Sequence, residues 1–349
     1  MRFSLFVHME RWDDEIPHRE HWEHLTELVQ MAEAGGFGTV WIGEHHAMEY
    51  TISPNPMVQL AYLAARTERI RLGAGTIIAP FWNPIRAAGE AALLDVISGG
   101  RAEIGLARGA YQFEFDRLTS GLAATDGGAH LRELVPAIRK LWEGDYAHDG
   151  EIWQFPTSTS VPKPVQTDNP PIWIAARDPA SHDFAVANGC NVMVTPLAKG
   201  DEEVENLVGK FETAIAAHPE VGRRPEIMVL RHTHVHAASD PEGWRAPAEA
   251  INLYYRTFDA VFGNKVEAVN GFHEPSPESK FAERPEFAPE NLHRTAMIGT
   301  PAEVIERLRH YEALGVDEYS FWIDNSMSHE AKAASLRLFI DEVVPAFQP

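Results

Sequence analysis

Glu44, His45 and His46 place two imidazoles beside a carboxylate, and imidazoles move protons near neutral pH. Adjacent side chains of an extended segment point to opposite faces, so the triplet does not read as a metal set by spacing. A single histidine packed in a loop, satisfied by backbone groups, is the plain alternative. Arg108, Arg177 and Ser181 form a second set. Guanidinium forks bind phosphate oxygens in pairs, and a helix opening near residues 178–181 would add unpaired N–H groups and its dipole. In a chain rich in acids, surface ion pairs would use the same arginines. The third set is His232, His234 and His236, which share one face of a strand. A His-x-His pair can bind a divalent metal, but no facing ligands are evident, so a polar strand lining a substrate pocket is the favoured reading. GLARGAY at 105–111 lacks the GxGxxG spacing, and neither a GxSxG elbow nor a Walker A loop occurs.

These groups need a frame that gathers them. Apolar runs predict strands over 2–8, 39–43, 71–78, 102–107, 172–176, 191–195, 226–236 and 318–323. Helical spacing predicts helices over 18–35, 55–67, 84–98, 131–142, 179–188, 202–218, 247–262, 301–315 and 329–343, with Gly35-Gly36 and Gly99-Gly100 as stop signals. The strands are continuous apolar runs, as strands buried on both faces are. Eight of them, mostly separated by helices, point to an α/β fold of the closed (β/α)8 TIM-barrel kind with loop insertions; a doubly wound open sheet is the alternative. Such barrels carry their chemistry at the C-terminal strand ends, where the sequence places 44–46, 73–80, 107–111 and 176–181. Residues 146–171 are rich in Pro, Thr and Ser and are expected to hold a short hairpin around Asp149-Gly150. Residues 263–291, with prolines at 275, 277, 285 and 289, read as a lid on a single domain spanning 1–349.

A net charge of −21 disfavours nucleic acid and anionic membrane surfaces as partners, yet leaves room for an anionic small ligand held by local arginines. No apolar run reaches the roughly 18 residues of a membrane span, and the opening MRFSLFVHMERWDDE has no signal-peptide layout, so it reads as the start of the fold. The only cysteine, Cys190, excludes an internal disulfide or a zinc ribbon and suits a cytoplasmic protein.

Residues 37–111, which include FGTVWIGEHH, the Asn-Pro pairs and GLARGAY, resemble the bacterial luciferase-like flavin-dependent monooxygenases. IWIAARDPASHDFAVANG and the closing IGTPAEVIERL continue the likeness more weakly. The resemblance implies a (β/α)8 barrel that binds FMN, usually reduced and supplied by a separate NAD(P)H-dependent flavin reductase. It implies activation of O2 as a flavin C4a-peroxide and insertion of one oxygen into a small organic substrate, apolar or carbonyl-bearing. By the same likeness His45 is similar to the catalytic base beside the flavin, Glu44 to a residue under the flavin edge, and His46 to a neighbouring pocket residue. Arg108 matches the arginine on the FMN phosphate, Ser181 a hydroxyl on that phosphate, and Tyr111 an aromatic near flavin and substrate; Ala176 and Arg177 fall in the same phosphate loop. The Gly75-Thr76 bond falls where the family often has a non-prolyl cis peptide behind the isoalloxazine. A homodimer is also implied.

The sequence departs from the family pattern at Ala107, where the luciferase α chain has a reactive cysteine, and at Arg177, where its phosphate loop has an acid. The lid falls where the family has a mobile loop that keeps water out, with Phe81, Trp82 and Tyr111 as the expected apolar lining. Other readings of these residues are a deazaflavin- or flavin-dependent hydride-transfer reductase or dehydrogenase, a non-catalytic flavin-holding protein, and a metal hydrolase built on the His232 face.

Overall fold

Strands apolar on both faces need packing layers on both sides, and this chain supplies them by closing a cylinder inside a ring of helices. The computed structural model describes residues 1–348 apart from 13, 264–266 and 325. Its strands are β1 (Arg2–Val7), β2 (Thr39–Ile42), β3 (Arg71–Ile78), β4 (Ala102–Ala107), β5 (Tyr146–Asp149), β6 (Gln154–Ser158), β7 (Ile172–Ala175), β8 (Asn191–Val194), β9 (Ile227–Val235), β10 (Met297–Gly299) and β11 (Glu318–Trp322). Parallel pairing runs β9-β11-β1-β2-β3-β4-β7-β8, and β8 returns to β9, so the sheet is a closed eight-stranded barrel and not a doubly wound open sheet.

Register fixes which side chains face which layer. Leu5, Val40, Leu72 and Ala102 form one cross-strand row that packs under the helices, and Phe6, Trp41, Gly73 and Glu103 form the next, facing the axis. Gly73 must lack a side chain, because a Cβ there would lie 2.1 Å from the Trp41 ring. Helix His18–Ala34 buries Leu25, Leu28, Val29 and Ala32 against the strands, and each such side chain stabilises by about 1.5–3 kcal/mol, less for the alanine. At the N-terminal end of the barrel the axis is filled by Trp41 and Trp173, with ring centroids 5.5 Å apart. Their indoles donate to Glu318 (3.0 Å) and Glu103 (2.5 Å), which pair with Arg2 and Arg71.

Two features go beyond the alternation expected from the sequence. β10 is an extra short strand that prolongs pairing along β9 past the barrel, at Thr233, His234 and Val235. The expected hairpin forms as antiparallel β5 and β6. Of the lid stretch, residues 264–266 lie outside the described residues. The rest folds into helix Glu278–Phe281 and turn Pro285–Phe287 and leads into helix Pro289–Thr295; Phe281 and Leu292 are buried in one cluster with Tyr254 of helix Arg245–Phe262. No helix among the described residues is long and apolar enough to cross a membrane.

Candidate active site

Past the end of β2, alternation sends neighbouring side chains to different partners. Glu44 is buried under the loop after β3. Its Oε2 accepts the Ile78 N–H at 2.6 Å and the Trp82 indole at 2.8 Å. His46 places Nε2 2.8 Å from Glu44 Oε1. His45 instead places Nδ1 3.3 Å from Glu114 Oε1, and that oxygen also accepts the His46 backbone N–H at 2.7 Å. Glu114 is fully buried in helix Gln112–Leu118. An imidazole whose Nδ1 faces a carboxylate is held in orientation and tautomer, which leaves Nε2 for proton transfer. Sequence reasoning missed Glu114. The available signal was an acid set between Phe113 and Phe115, directly after a strand-end motif.

Around His45 the mouth of the barrel is aromatic. The Tyr111 ring lies 5.1 Å away and that of His8, at the end of β1, 4.9 Å away and edge-on. Tyr254, from helix Arg245–Phe262, sits among Tyr50 (5.4 Å), His232 (4.5 Å) and Trp322 (5.1 Å). Burial first, then His45 and His232, hold His8 well below the usual imidazole range, and burial raises the Tyr111 and Tyr254 hydroxyls. Phe81 packs on His46 at 5.4 Å. Trp82, expected in the apolar lining, belongs to the layer between strands and helices and reaches the site only through its N–H to Glu44.

The phosphate candidates lie at the ends of β4 and β7, which are neighbouring strands. Arg108 is exposed and, among the described residues, makes no ion pair or side-chain hydrogen bond. Arg177 is occupied, with one guanidinium nitrogen 3.0 Å from Glu203 and another 2.9 Å from the Thr195 carbonyl. Ser181 donates its hydroxyl (2.7 Å) and its N–H (3.0 Å) to Asp178, which caps helix Pro179–Ala187. Burial pushes the Asp178 carboxyl up, but the Ser181 bonds outweigh it and hold it below its ordinary range. The N-terminal amide expected to be free is therefore already capped. Ala176 is buried, its N–H on the Met193 carbonyl at 3.0 Å.

Gly75 and Thr76 are joined by a cis peptide, and the Thr76 carbonyl accepts the Glu44 N–H at 3.1 Å. The β3–β4 register shifts between Ala74 and Ile77. There Gly105 lets the strands approach, since a Cβ would stand 2.4 Å from the Ala74 carbonyl oxygen and 3.1 Å from Thr76 Cγ2. The histidines of β9 separate: His232 stacks on Trp322 at 3.9 Å, burial holds His234 at about 4, and His236 lies beside Gly243. Among the described residues no three His, Cys, Asp or Glu groups gather to hold a metal ion.

Residues 1–318 match the family model of luciferase-like monooxygenases. The oxygenase component of the flavin-dependent trigonelline monooxygenase of Acinetobacter baylyi is 53% identical over 347 residues, 99% of this chain and 96% of that one. The structure of a monooxygenase from Streptomyces bottropensis superposes with a TM-score of 0.82 at 25% identity, covering 100% of both chains. A type II Baeyer–Villiger monooxygenase in complex with FMN, the oxygenating constituent of 3,6-diketocamphane monooxygenase from the CAM plasmid of Pseudomonas putida, shares the fold with a TM-score of 0.77 at 18% identity, covering 99% of this chain and 98% of that one. With a family model matching nearly its whole length, and a relative this similar from end to end, the chain belongs to the luciferase-like monooxygenases.

Proposed function

We propose that this chain is the oxygenase component of a two-component, FMN-dependent monooxygenase. It takes reduced flavin from a separate NAD(P)H-dependent reductase and inserts one atom of O2 into a small N-alkylpyridinium acid of the trigonelline type. The observation that carries the reading is the His45–Glu114 pair, an imidazole held at 3.3 Å by a buried carboxylate at a barrel strand end. The relative at 53% identity favours trigonelline as the first substrate to try. Trigonelline is a cationic ring bearing a carboxylate, and the aromatic faces of the mouth suit such a ring by cation–π attraction. An apolar or carbonyl compound, the substrate class expected from the sequence, would use the same faces.

The residues fit FMN. Arg108 is an exposed cation that makes no ion pair or side-chain hydrogen bond among the described residues, in a chain of net charge −21, placed where a phosphate could be anchored. Bound reduced flavin supplies the electrons that activate O2. The chain does the rest. Arg108 would hold the phosphate, with Ala176 in the same loop and Ser181 and Arg177 able to join by leaving Asp178 and Glu203. Gly75, Thr76 and Tyr111 would help to hold the ring. Glu44 and Glu114 fix His46 and His45, and His45 moves a proton at Nε2. Tyr254 and Trp322 keep water out. Residues 268–276 serve as part of the lid: the Gly271 carbonyl accepts the Glu49 N–H at 2.8 Å and the His273 ring lies 4.8 Å from Phe113. A homodimer is supported by exposed Val58 and Tyr62 on helix Pro56–Ala64, beside exposed Leu93, Val96 and Ile97 on helix Pro84–Ser98. A cytoplasmic location would place the enzyme with its NAD(P)H-fed reductase.

The test supplies the purified chain with a flavin reductase, NADH, FMN, trigonelline and isotopically labelled O2. One labelled oxygen in the organic product is expected. NADH and O2 consumed with no label in any trigonelline product would reject this substrate class, and substrate reduced without O2 uptake would reject the oxygenase reading.

A further inference from the structure

Glu10 follows β1 and is only 1% exposed; the Trp322 indole and the Ser326 N–H are turned toward it, yet neither oxygen makes a well-formed hydrogen bond among the described residues. A buried carboxyl so weakly satisfied is costly and calls for an explanation. Its surroundings supply one. Asp324, next to it, accepts the His8 and Met9 N–H groups at 2.6 and 3.1 Å and pairs with Lys332 at 3.0 Å. One ammonium thus serves two carboxyls, and Asp324 has claimed it. Glu10 is left as the member that keeps a proton, in line with the rise in its pKa caused by burial and then by Asp324, against the weaker pull of Lys332.

Glu10 also stands between two compartments. Outward, it lines a cavity of about 230 Å³ between helices His18–Ala34 and His329–Leu338, whose wall runs from exposed Ile16 and Ser328 down to buried Asp324. Inward, its Oε1 is 3.4 Å from His8 Nδ1, and the His8 ring meets the His45 ring edge-on at 4.9 Å. The His45 side chain is 14% exposed toward the mouth of the barrel, so once flavin and substrate fill that mouth, protons for its chemistry need a route through protein groups.

We propose that Glu10 is a proton-relay residue that connects solvent in this outer cavity to His45 through His8. The inference rests on the reading of His45 as the proton-transfer group. In one passage the Glu10 O–H bond breaks and an N–H bond forms at His8 Nδ1, while His8 releases its Nε2 proton to His45. The passage leaves His8 as its Nδ1–H tautomer; Glu10 regains a proton from water in the cavity, and a turn of the His8 ring that brings the bare nitrogen back toward Glu10 resets the relay with one proton carried inward. Besides His8, Asp324 and Lys332, the titratable groups facing Glu10 are the hydroxyls of Tyr50, Tyr111 and Tyr254 on the inner side and, around the outer cavity, Arg11, His21, His24 and His329.

The first test needs no flavin. Infrared difference spectra of the apoprotein near neutral pH should contain a protonated-carboxyl C=O band that vanishes in Glu10→Gln and survives, shifted, in Glu10→Asp. The second uses trigonelline, FMN and the reductase. Glu10→Gln should bind FMN as wild type does, lose roughly tenfold or more in kcat, and flatten the kcat–pH profile, with Glu10→Asp restoring most of the rate. His8→Gln, which cuts the route one step further in, should repeat the loss if Glu10→Gln fails to fold. Absence of the infrared band, or a Glu10→Gln rate and pH profile that superimpose on wild type while His45→Ala is impaired, overturns the relay. If His45→Ala is itself unimpaired, the parent reading of His45 fails, and the infrared result stands apart from it.

Discussion

The two ends of the barrel use buried carboxylates in opposite ways. At the N-terminal end Glu103 and Glu318 face Arg71 and Arg2, cations that stay charged across the working pH range, and two indoles fill the remaining acceptor sites. At the C-terminal end Glu114 and Glu44 face His45 and His46, imidazoles whose ring nitrogens can give or take a proton. The same side-chain chemistry is locked at one end and exchangeable at the other. Strand direction decides which: loops that leave the C-terminal ends bring in titratable groups, while the other end only has to close the cylinder.

Substitutions at the two ends can break that contrast. The largest effect is expected from His45→Ala, which should keep its FMN affinity and lose about 10²- to 10⁴-fold in kcat. Product formation at saturating reduced flavin reads it, and a wild-type rate would erase the distinction. At the other end Arg71→Leu leaves Glu103 buried without its cation. It should cost about 3 kcal/mol in urea unfolding with kcat per folded molecule unchanged. A drop in kcat at full stability would show that the ends are coupled. Arg108→Ala should raise the Kd for FMN about 10- to 100-fold in fluorescence titration, the loss of one charge-assisted contact. Arg177→Ala, whose guanidinium is already engaged by Glu203, should change it by less than about threefold.

The smallest effect is on the pH dependence of stability. Burial holds His21, His182 and His234 each at about 4. Unfolded histidines titrate near about 6.5, so between these values the unfolded chain binds protons that the folded chain refuses. Stability is then complete above about pH 6.5 and falls as pH drops toward about 4, which a lower Tm at about pH 5 than at about pH 7.5 would record. Glu10 works in the opposite sense, because its raised pKa lets the folded chain keep a proton, so Glu10→Gln should steepen the acid loss.

The eight barrel strands were legible because both-face burial writes itself as uninterrupted apolar runs, and Glu44-His45-His46 was legible because it follows one of them. β10 was not, since three residues, Met297–Gly299, carry no period. Nor were the partners. That Glu114 would meet His45, or that Asp178 would claim Ser181, depends on how neighbouring loops cross, which no local pattern records. His8 closed a predicted strand in plain view. Its company with Glu10 needed the position of Lys332, more than 300 residues along the chain.

Arg177 and Ser181 each have an internal partner to return to, Glu203 and Asp178. On the proposed reading, a dianion arriving there would have to outbid contacts the protein already makes, and on leaving it would return these two groups to their partners. Such a clasp would suit short tenure, the need of a coenzyme that commutes between two proteins.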